Sequence, residues 1–282
     1  MLDDQTRLEF PASGMAEVEL IWQPLVARCR AAGPGGRPLI VLIDTGTDPS
    51  AIDLSLARRL DLRLGEFALG SDAASDTVPF TETVLPWLRL GDLTLRNLYL
   101  MAIDLSHAPF PVDIVLGYNV LHQLNLTIDY VNHTIRLCHS DLMPPPPGPS
   151  GATLPLRFFE HFPAITAHLT APQPIELLLT IDTGSNGALT LSPDLATRIG
   201  VHLGHVQADT GHGFAAAAPV ARGITVDLQI GPFCLPEVEV DVPVTNHGDL
   251  SRRGRANAGN RLLSCFRRVT LDYRREVCIL DR

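Results

Sequence analysis

Two short stretches of the sequence each place an aspartate at the end of an apolar run. The first is VLIDTGTDPS, which contains Asp44, and the second is LTIDTGSNGA, which contains Asp182. Two carboxylates held close together cannot both ionise easily, so the pair keeps one proton. One carboxylate can then act as a general base on a water molecule, while its protonated partner acts as a general acid. Because this chemistry cleaves a peptide bond without a metal or an organic cofactor, we predict neither.

The residues after each aspartate fit this chemistry. A glycine two positions on permits a tight turn, and the hydroxyl residue behind it is expected to donate a hydrogen bond to the carboxylate. The threonine beside each aspartate is expected to lock the two turns together through reciprocal hydrogen bonds. The predicted supporting residues are Thr45, Gly46, Thr47, Thr183, Gly184 and Ser185.

The elements that must position these turns occur twice. A proline-rich stretch at 143–151, MPPPPGPSG, separates residues 1–142 from residues 152–282, and such a stretch favours extended polyproline geometry. In each part an apolar run leads into the triplet, and a helical pattern follows, starting at Asp53 and at Ser192. A strand pair comes next, and the part closes on an apolar strand that ends at Tyr130 or Tyr273. This repetition predicts a duplicated, mostly β unit with one or two short helices.

The stretches LIDTGT and TIDTGS resemble the active-site turns of aspartic proteases. With LSLARRLDL after the first turn and LTIDY as a closing strand, the halves are most similar to bacterial retropepsin-like proteases. The resemblance runs from about Ala16 to Leu280. It implies an all-β fold of two tandem β-barrel units related by a pseudo-twofold axis. It also implies an aspartic endopeptidase whose catalytic residues are Asp44 and Asp182, one from each unit.

The resemblance further implies a β-hairpin flap over the cleft from each unit. In the second half ADTGHGFAAAA supplies Gly211, His212 and Gly213, which are expected to contact substrate. A histidine there would add a pH dependence near neutrality. In the first half FALGSDAASDT has only Gly70 near its tip, so a flap and a plain polar loop both stay open.

The sequence departs from the family pattern near each turn. Where the family has two apolar residues before a glycine, the first half has Val115 and Leu116 but the second has Asn257 and Ala258. We expect weaker packing behind the second turn. Asp48 places an extra acid near Asp44, which would raise the pKa of the pair if it pointed inward. A solvated turn residue before Pro49 is the preferred interpretation.

Two rival hypotheses remain open. One is an inactive peptide-binding or scaffolding module that has the acid protease fold. The other is that each half pairs with its equivalent in a second chain, although we expect a monomer that acts as a pseudo-dimer. The expected partner is a peptide or protein substrate.

The composition argues against several other classes of function. The formal net charge of -9 does not favour binding to nucleic acid or to an anionic membrane. No apolar run reaches transmembrane length and no signal peptide pattern is visible, so we expect a cytoplasmic protein. The five cysteines lack CxxC spacing, which favours reduced thiols. Neither His202 with His205 nor His161 with His168 has a clear third ligand, so no metal site is predicted.

Overall fold

The chain folds almost entirely into β-strands. The structure is a computed structural model that describes residues 6–171, 174–200, 207–214 and 217–282. The helices in these ranges are α1 (Leu54–Arg59), α2 (Tyr118–Leu121), α3 (Pro193–Arg198) and α4 (Asn260–Leu263), with a 3-10 turn at Asp249–Ser251. The prediction of an all-β fold with a few short helices is confirmed.

Eight strands of the first half form one sheet, which we call the N-terminal sheet. They are β1 (Arg7–Glu9), β3 (Arg28–Ala31), β4 (Leu39–Ile43), β5 (Ala51–Asp53), β6 (Phe67–Gly70), β7 (Val78–Leu90), β8 (Leu93–Ile103) and β9 (Ile114–Leu116). The strand order is β3-β4-β9-β5-β8-β7-β6, and β1 pairs with β8. A bridge between Ala32 and Arg89 joins the end of β3 to β7, which closes the sheet into a barrel.

Eight strands of the second half form the C-terminal sheet. They are β13 (Arg157–Phe159), β14 (Phe162–Ala171), β15 (Ile175–Ile181), β16 (Leu189–Leu191), β17 (Gln207–His212), β18 (Ala217–Ile230), β19 (Phe233–Pro243) and β20 (Ala256–Ala258). Their order is β13-β14-β15-β20-β16-β19-β18-β17. Pairing of β14 with β18 closes this sheet as well.

A third sheet, the joint sheet, takes three strands from each half. They are β2 (Met15–Glu19), β10 (Leu124–Asp129), β11 (Thr134–His139), β12 (Ala152–Pro155), β21 (Arg268–Asp272) and β22 (Val277–Asp281). In the order β12-β22-β21-β10-β11-β2, the halves meet where β10 pairs with β21. There Thr127 lies opposite Thr270, and their hydroxyls are 2.9 Å apart. This sheet and a continuous apolar core fix the halves against each other.

The same sequence of elements positions both Asp-Thr-Gly turns. The strand before each turn, β4 or β15, pairs in parallel with the strand before the closing helix, β9 or β20. Ile43 and Ile181, the last residues of the strands before the turns, belong to one core cluster. Each turn therefore begins at a buried apolar residue of this shared core. The pseudo-twofold axis and the boundaries at 142 and 152 stay predictions.

The two predicted helix starts differ in detail. Asp53 caps α1 by accepting a hydrogen bond from the Leu56 N–H (2.9 Å). Ser192 occupies the capping position before α3, but its hydroxyl donates to Asp194 instead (2.7 Å). No helix in the described ranges is long and apolar enough to cross a membrane.

Candidate active site

Each aspartate sits where a buried strand gives way to its turn. The backbone N–H of Asp44 donates to the Leu116 carbonyl, and that of Asp182 donates to the Ala258 carbonyl, each over 2.9 Å. The glycine N–H two residues later donates back to the aspartate Oδ1, over 2.8 Å from Gly46 and 2.9 Å from Gly184. Both carboxylates are thus fixed by backbone groups, with little rotamer freedom left.

The two threonines beside the aspartates interlock, as the sequence predicts. Thr45 donates its hydroxyl to the Ile181 carbonyl (2.5 Å), and Thr183 donates to the Ile43 carbonyl (2.6 Å). Each hydroxyl also accepts the other threonine's backbone N–H, at 3.1 and 3.2 Å. Both side chains are fully buried. The network joins the two turns within one chain.

The interlocking brings the two carboxyl groups close together, and the charge of Asp182 acts on Asp44. Each packs over the glycine of the opposite turn: a Cβ added at Gly184 would lie 2.3 Å from Asp44, and one added at Gly46 would lie 2.8 Å from Asp182. Only glycine permits this approach, which gives both glycines a second role beyond the turn.

The pKa of Asp44 is shifted strongly by this setting. Asp44 is only 3% exposed. Burial raises its pKa to about 8, the charge of Asp182 adds to the rise, and donors from Thr47 and Gly46 oppose it. Burial and the neighbouring charge thus favour the protonated form of Asp44.

The hydroxyl residues of the two turns behave differently. Thr47 donates its hydroxyl to Asp44 Oδ2 over 2.7 Å, as expected. Ser185 instead donates its backbone N–H to Asp182 Oδ1 (3.1 Å), while its Oγ accepts from the Gly187 N–H (3.3 Å). The predicted Ser185 hydroxyl bond to the carboxylate is thus not formed in the part of the chain that the structure describes, and the backbone N–H of Ser185 occupies Asp182 Oδ1 instead.

Asn257 is a site residue whose role the sequence reasoning missed. Its Nδ2 donates to Asp182 Oδ2 over 2.8 Å, and its Oδ1 accepts from the Thr180 hydroxyl over 2.7 Å. The residue is 1% exposed. Where weaker packing was expected, the structure has a buried hydrogen-bond chain. The available signal was a polar residue at an apolar position of a buried strand, which needs a partner.

The extra acid of the first turn points to a histidine. Asp48 Oδ2 lies 2.5 Å from His161 Nδ1, and the His161 ring stacks on Tyr118 at 4.8 Å. His168 pairs with Glu176 at 3.3 Å. The described residues include no group of three or more possible metal ligands, and His202 and His205 lie outside them.

Two hairpins form the upper walls of the cleft. The stretch FALGSDAASDT of the first half, for which the sequence left a flap and a plain loop open, belongs to a hairpin formed by β6 and β7. The second hairpin is formed by β17 and β18. Gly211, His212 and Gly213 line the cleft, whose volume is about 620 Å³. The hairpin ends meet, since a Cβ on Gly213 would lie 2.4 Å from Asp72.

The first hairpin is also tied to the second half of the chain. The N–H of Asp249 donates to the Asp72 carbonyl (2.9 Å), and the N–H of Gly248 donates to Asp76 (3.1 Å). The Ser71 hydroxyl donates to Asp249 Oδ1 (3.0 Å). The sequence offered no sign of this tether, because its two sides are distant along the chain.

With this geometry in place, comparison with known proteins is informative. Residues 31–120 match the family model described as aspartyl protease. These residues, about a third of the chain, are therefore similar to aspartyl proteases. The match agrees with the predicted likeness of the first half to aspartic proteases, and it supports aspartic protease function in general. The fusion of two such units stays a prediction.

The aspartyl protease match runs from β3 to α2, so it includes Asp44 and the first hairpin, and it ends well before Asp182. Among solved structures, the chain is similar to a retropepsin-like aspartic protease from Rickettsia conorii. The identity is 21%, over 46% of this chain and 89% of that one, with a TM-score of 0.35. No curated protein matches.

Proposed function

We propose that this protein is an aspartic endopeptidase in which Asp44 and Asp182 together activate one water molecule. The observation that carries the proposal is the approach of each carboxyl group to the glycine of the opposite turn, which brings Asp44 and Asp182 together at one point of the cleft. Two carboxyl groups held close together keep one proton between them. That state supplies a base and an acid at the same point in the cleft.

The surroundings favour a division of roles. Asp182 accepts three hydrogen bonds from N–H donors, those of Gly184, Ser185 and Asn257, and such donors stabilise a charged carboxylate. Asp44 has the raised pKa. We therefore assign the negative charge to Asp182 and the proton to Asp44 in the resting enzyme.

The reaction follows from these roles. Asp182 takes a proton from water as the water oxygen bonds to the peptide carbonyl carbon, and Asp44 gives its proton to the carbonyl oxygen. The product of this step is a gem-diol. The proton on Asp182 then passes to the amide nitrogen, the C–N bond breaks, and a diol hydroxyl returns its proton to Asp44. The products are a carboxylic acid and an amine, and both aspartates regain their resting states.

The substrate of this endopeptidase is an extended peptide. The cleft lies between the hairpins β6–β7 and β17–β18, and an extended chain can pair with such strand edges. Thr45 and Thr183 join the turns within one chain, which supports an active unit made of a single chain. Activity per molecule should then be constant on dilution, whereas its loss would indicate pairing between chains.

The decisive experiment uses carboxamide variants and a mixture of peptides of varied sequence, with cleavage read by mass spectrometry. Asp44→Asn and Asp182→Asn should each lower the cleavage rate by at least roughly 10³-fold and keep the native circular dichroism spectrum. Asp48→Asn is the matched control, because this carboxylate lies in the same turn but pairs with His161, and it should retain activity.

The results also separate the rival hypothesis. A wild-type protein that binds peptides without cleaving them would be a binding module rather than an enzyme. Cleavage at the wild-type rate by either dyad variant would refute the shared mechanism.

A further inference from the structure

One buried arginine in the cleft forms no ion pair with the residues that the structure describes. Arg255 directly precedes β20 and lines the cleft. It is only 5% exposed, and its guanidinium carbon lies 4.9 Å from the ring centre of Phe159 and 4.6 Å from that of Phe162. These rings hold the planar group in place and shield it from water.

The other arginines of the cleft each have a carboxylate partner. Arg222 pairs with Asp241 at 2.7 Å, Arg252 with Asp249 at 2.7 Å, and Arg261 with Glu239 at 2.5 Å. Within the described ranges, Arg255 forms no ion pair or hydrogen bond through its guanidinium, and its Nε is buried without an acceptor. A buried donor left unpaired is costly, so one that lines a cleft indicates a missing acceptor.

An acceptor that bonded to Arg255 would lie next to the proposed reaction centre. Asn257, two residues along the chain, bonds Asp182. The negative charge of Asp182 acts on Arg255, as do those of Asp249 and Glu160, and all three oppose the lowering of its pKa by burial. The guanidinium thus remains charged and available to a ligand.

The first half also contributes apolar side chains to the cleft lining, namely Val78, Phe80, Met101, Ile103 and Phe110. A peptide in the cleft could therefore meet both apolar side chains and the unpaired cation of Arg255. This combination fits a substrate that carries a carboxylate beside apolar residues.

We propose that Arg255 forms a subsite for a carboxylate of the peptide substrate, close to the bond that is cleaved. The inference rests on the proposed endopeptidase function and specifies its substrate class. The carboxylate can belong to a Glu or Asp side chain or to the C-terminus of a short peptide, since both present the planar pair of oxygens that a guanidinium binds in bidentate fashion.

The test measures kcat/KM for matched peptides. In the first set of pairs, the two peptides carry either Glu or Gln at one position near the cleaved bond, and each position is tested in turn. In a further pair, the C-terminus of the peptide is either free or amidated. The wild type should favour one of the carboxylate forms by roughly 10- to 100-fold, and the pair that shows the preference identifies the source of the carboxylate.

Arg255→Met keeps an unbranched stem between the two rings and removes the charge, so the preference should fall to about twofold or less. Arg255→Lys should restore part of it. Arg261→Met, which removes a cleft arginine that already has a partner, should leave the preference as in the wild type. A wild type without any preference, or an unchanged preference in Arg255→Met, would overturn the subsite.

A purely structural role gives a different result, since Arg255→Met would then lower kcat/KM for both members of a pair equally. If the wild type cleaves no peptide, the endopeptidase proposal fails on its own. In that case, calorimetry measures how tightly the same peptide pairs bind to the wild type and to Arg255→Met, and a preference for the carboxylate form in the wild type alone supports the subsite. Equal binding of acid and amide by both proteins would refute it.

Discussion

The buried amide of Asn257 donates to Asp182 Oδ2 over 2.8 Å, whereas the matching position beside Asp44 is the apolar Val115. The two proposed catalytic carboxylates therefore differ in their surroundings although their turns are alike. An extra donor on one side stabilises a negative charge there and leaves the proton to the other side.

Replacing this donor should change the pH profile. Asn257→Val removes a hydrogen bond that stabilises the charged Asp182 carboxylate, so this carboxylate should take up a proton at a higher pH in the variant. We expect the acid limb of the kcat/KM profile to move to higher pH by about one unit. Thr180→Val keeps the Asn257 donor and removes the Thr180 hydroxyl, which lies within hydrogen-bond distance of Asn257 Oδ1 and the Ala256 carbonyl, so it should give a smaller shift in the same direction. An acid limb that stays in place in Asn257→Val would exclude the proposed role.

The glycines below the carboxylates should tolerate no side chain. Gly184→Ala would place a Cβ 2.3 Å from the Asp44 carboxyl group, so either the dyad must separate or the turn must shift. We expect a loss of at least roughly 10²-fold in kcat/KM. Gly65→Ala is the control, because its added Cβ would have no neighbour closer than 3.5 Å. Comparable activity of Gly184→Ala and the control would contradict the close packing of the two turns.

The interlocked threonines should contribute to stability as well as to geometry. Thr183→Val removes a donor to the Ile43 carbonyl and an acceptor for the Thr45 N–H, and both partners are then buried and unpaired. We expect the free energy of unfolding in urea to fall by about 2–4 kcal/mol. Thr197→Val removes an exposed hydroxyl on α3 and should change it by about 0.5 kcal/mol or less. Equal effects would show that the network is not stabilising.

The buried proton of Asp44 predicts a pH dependence of stability. Its pKa is raised from 3.8 to about 8, so between these values the folded state binds a proton that the unfolded state releases. Its contribution to stability is greatest below about pH 4 and is lost as the pH rises towards 8, with a slope of at most about 1.4 kcal/mol per pH unit.

Urea unfolding of the wild type and of Asp44→Asn across this range provides the measurement. The variant carries no titrating group at this position, so it should lack that part of the slope. Parallel stability curves for the two proteins would mean that Asp44 is not protonated in the folded state.

Much of the site could be read from short stretches of sequence. An apolar run followed by Asp-Thr-Gly specifies a buried strand and a tight turn, because both depend on neighbours within a few residues. Repetition of the pattern indicated that two such turns belong together. The same logic identified Thr45 and Thr183, whose roles follow from their places in the two turns.

Other features depend on which distant residues meet. The Ser185 hydroxyl oxygen accepts a hydrogen bond from Gly187 rather than bonding to Asp182. Asn257 donates to a carboxylate 75 positions away along the chain. The first hairpin is tied by hydrogen bonds to Gly248 and Asp249. A polar side chain satisfies whichever partner the fold brings within reach, so the sequence shows the donor but not its acceptor.

The sequence by itself determined the two Asp-Thr-Gly turns, the all-β character and the likeness to retropepsin-like proteases, because strand periodicity and turn chemistry are local. Only the tertiary structure decided that Asp44 and Asp182 have unequal surroundings and that Arg255 lies in the cleft without an ion pair to any described residue. Burial and hydrogen-bond partners are set by contacts between distant strands, and these contacts control the charge state of a carboxyl or guanidinium group.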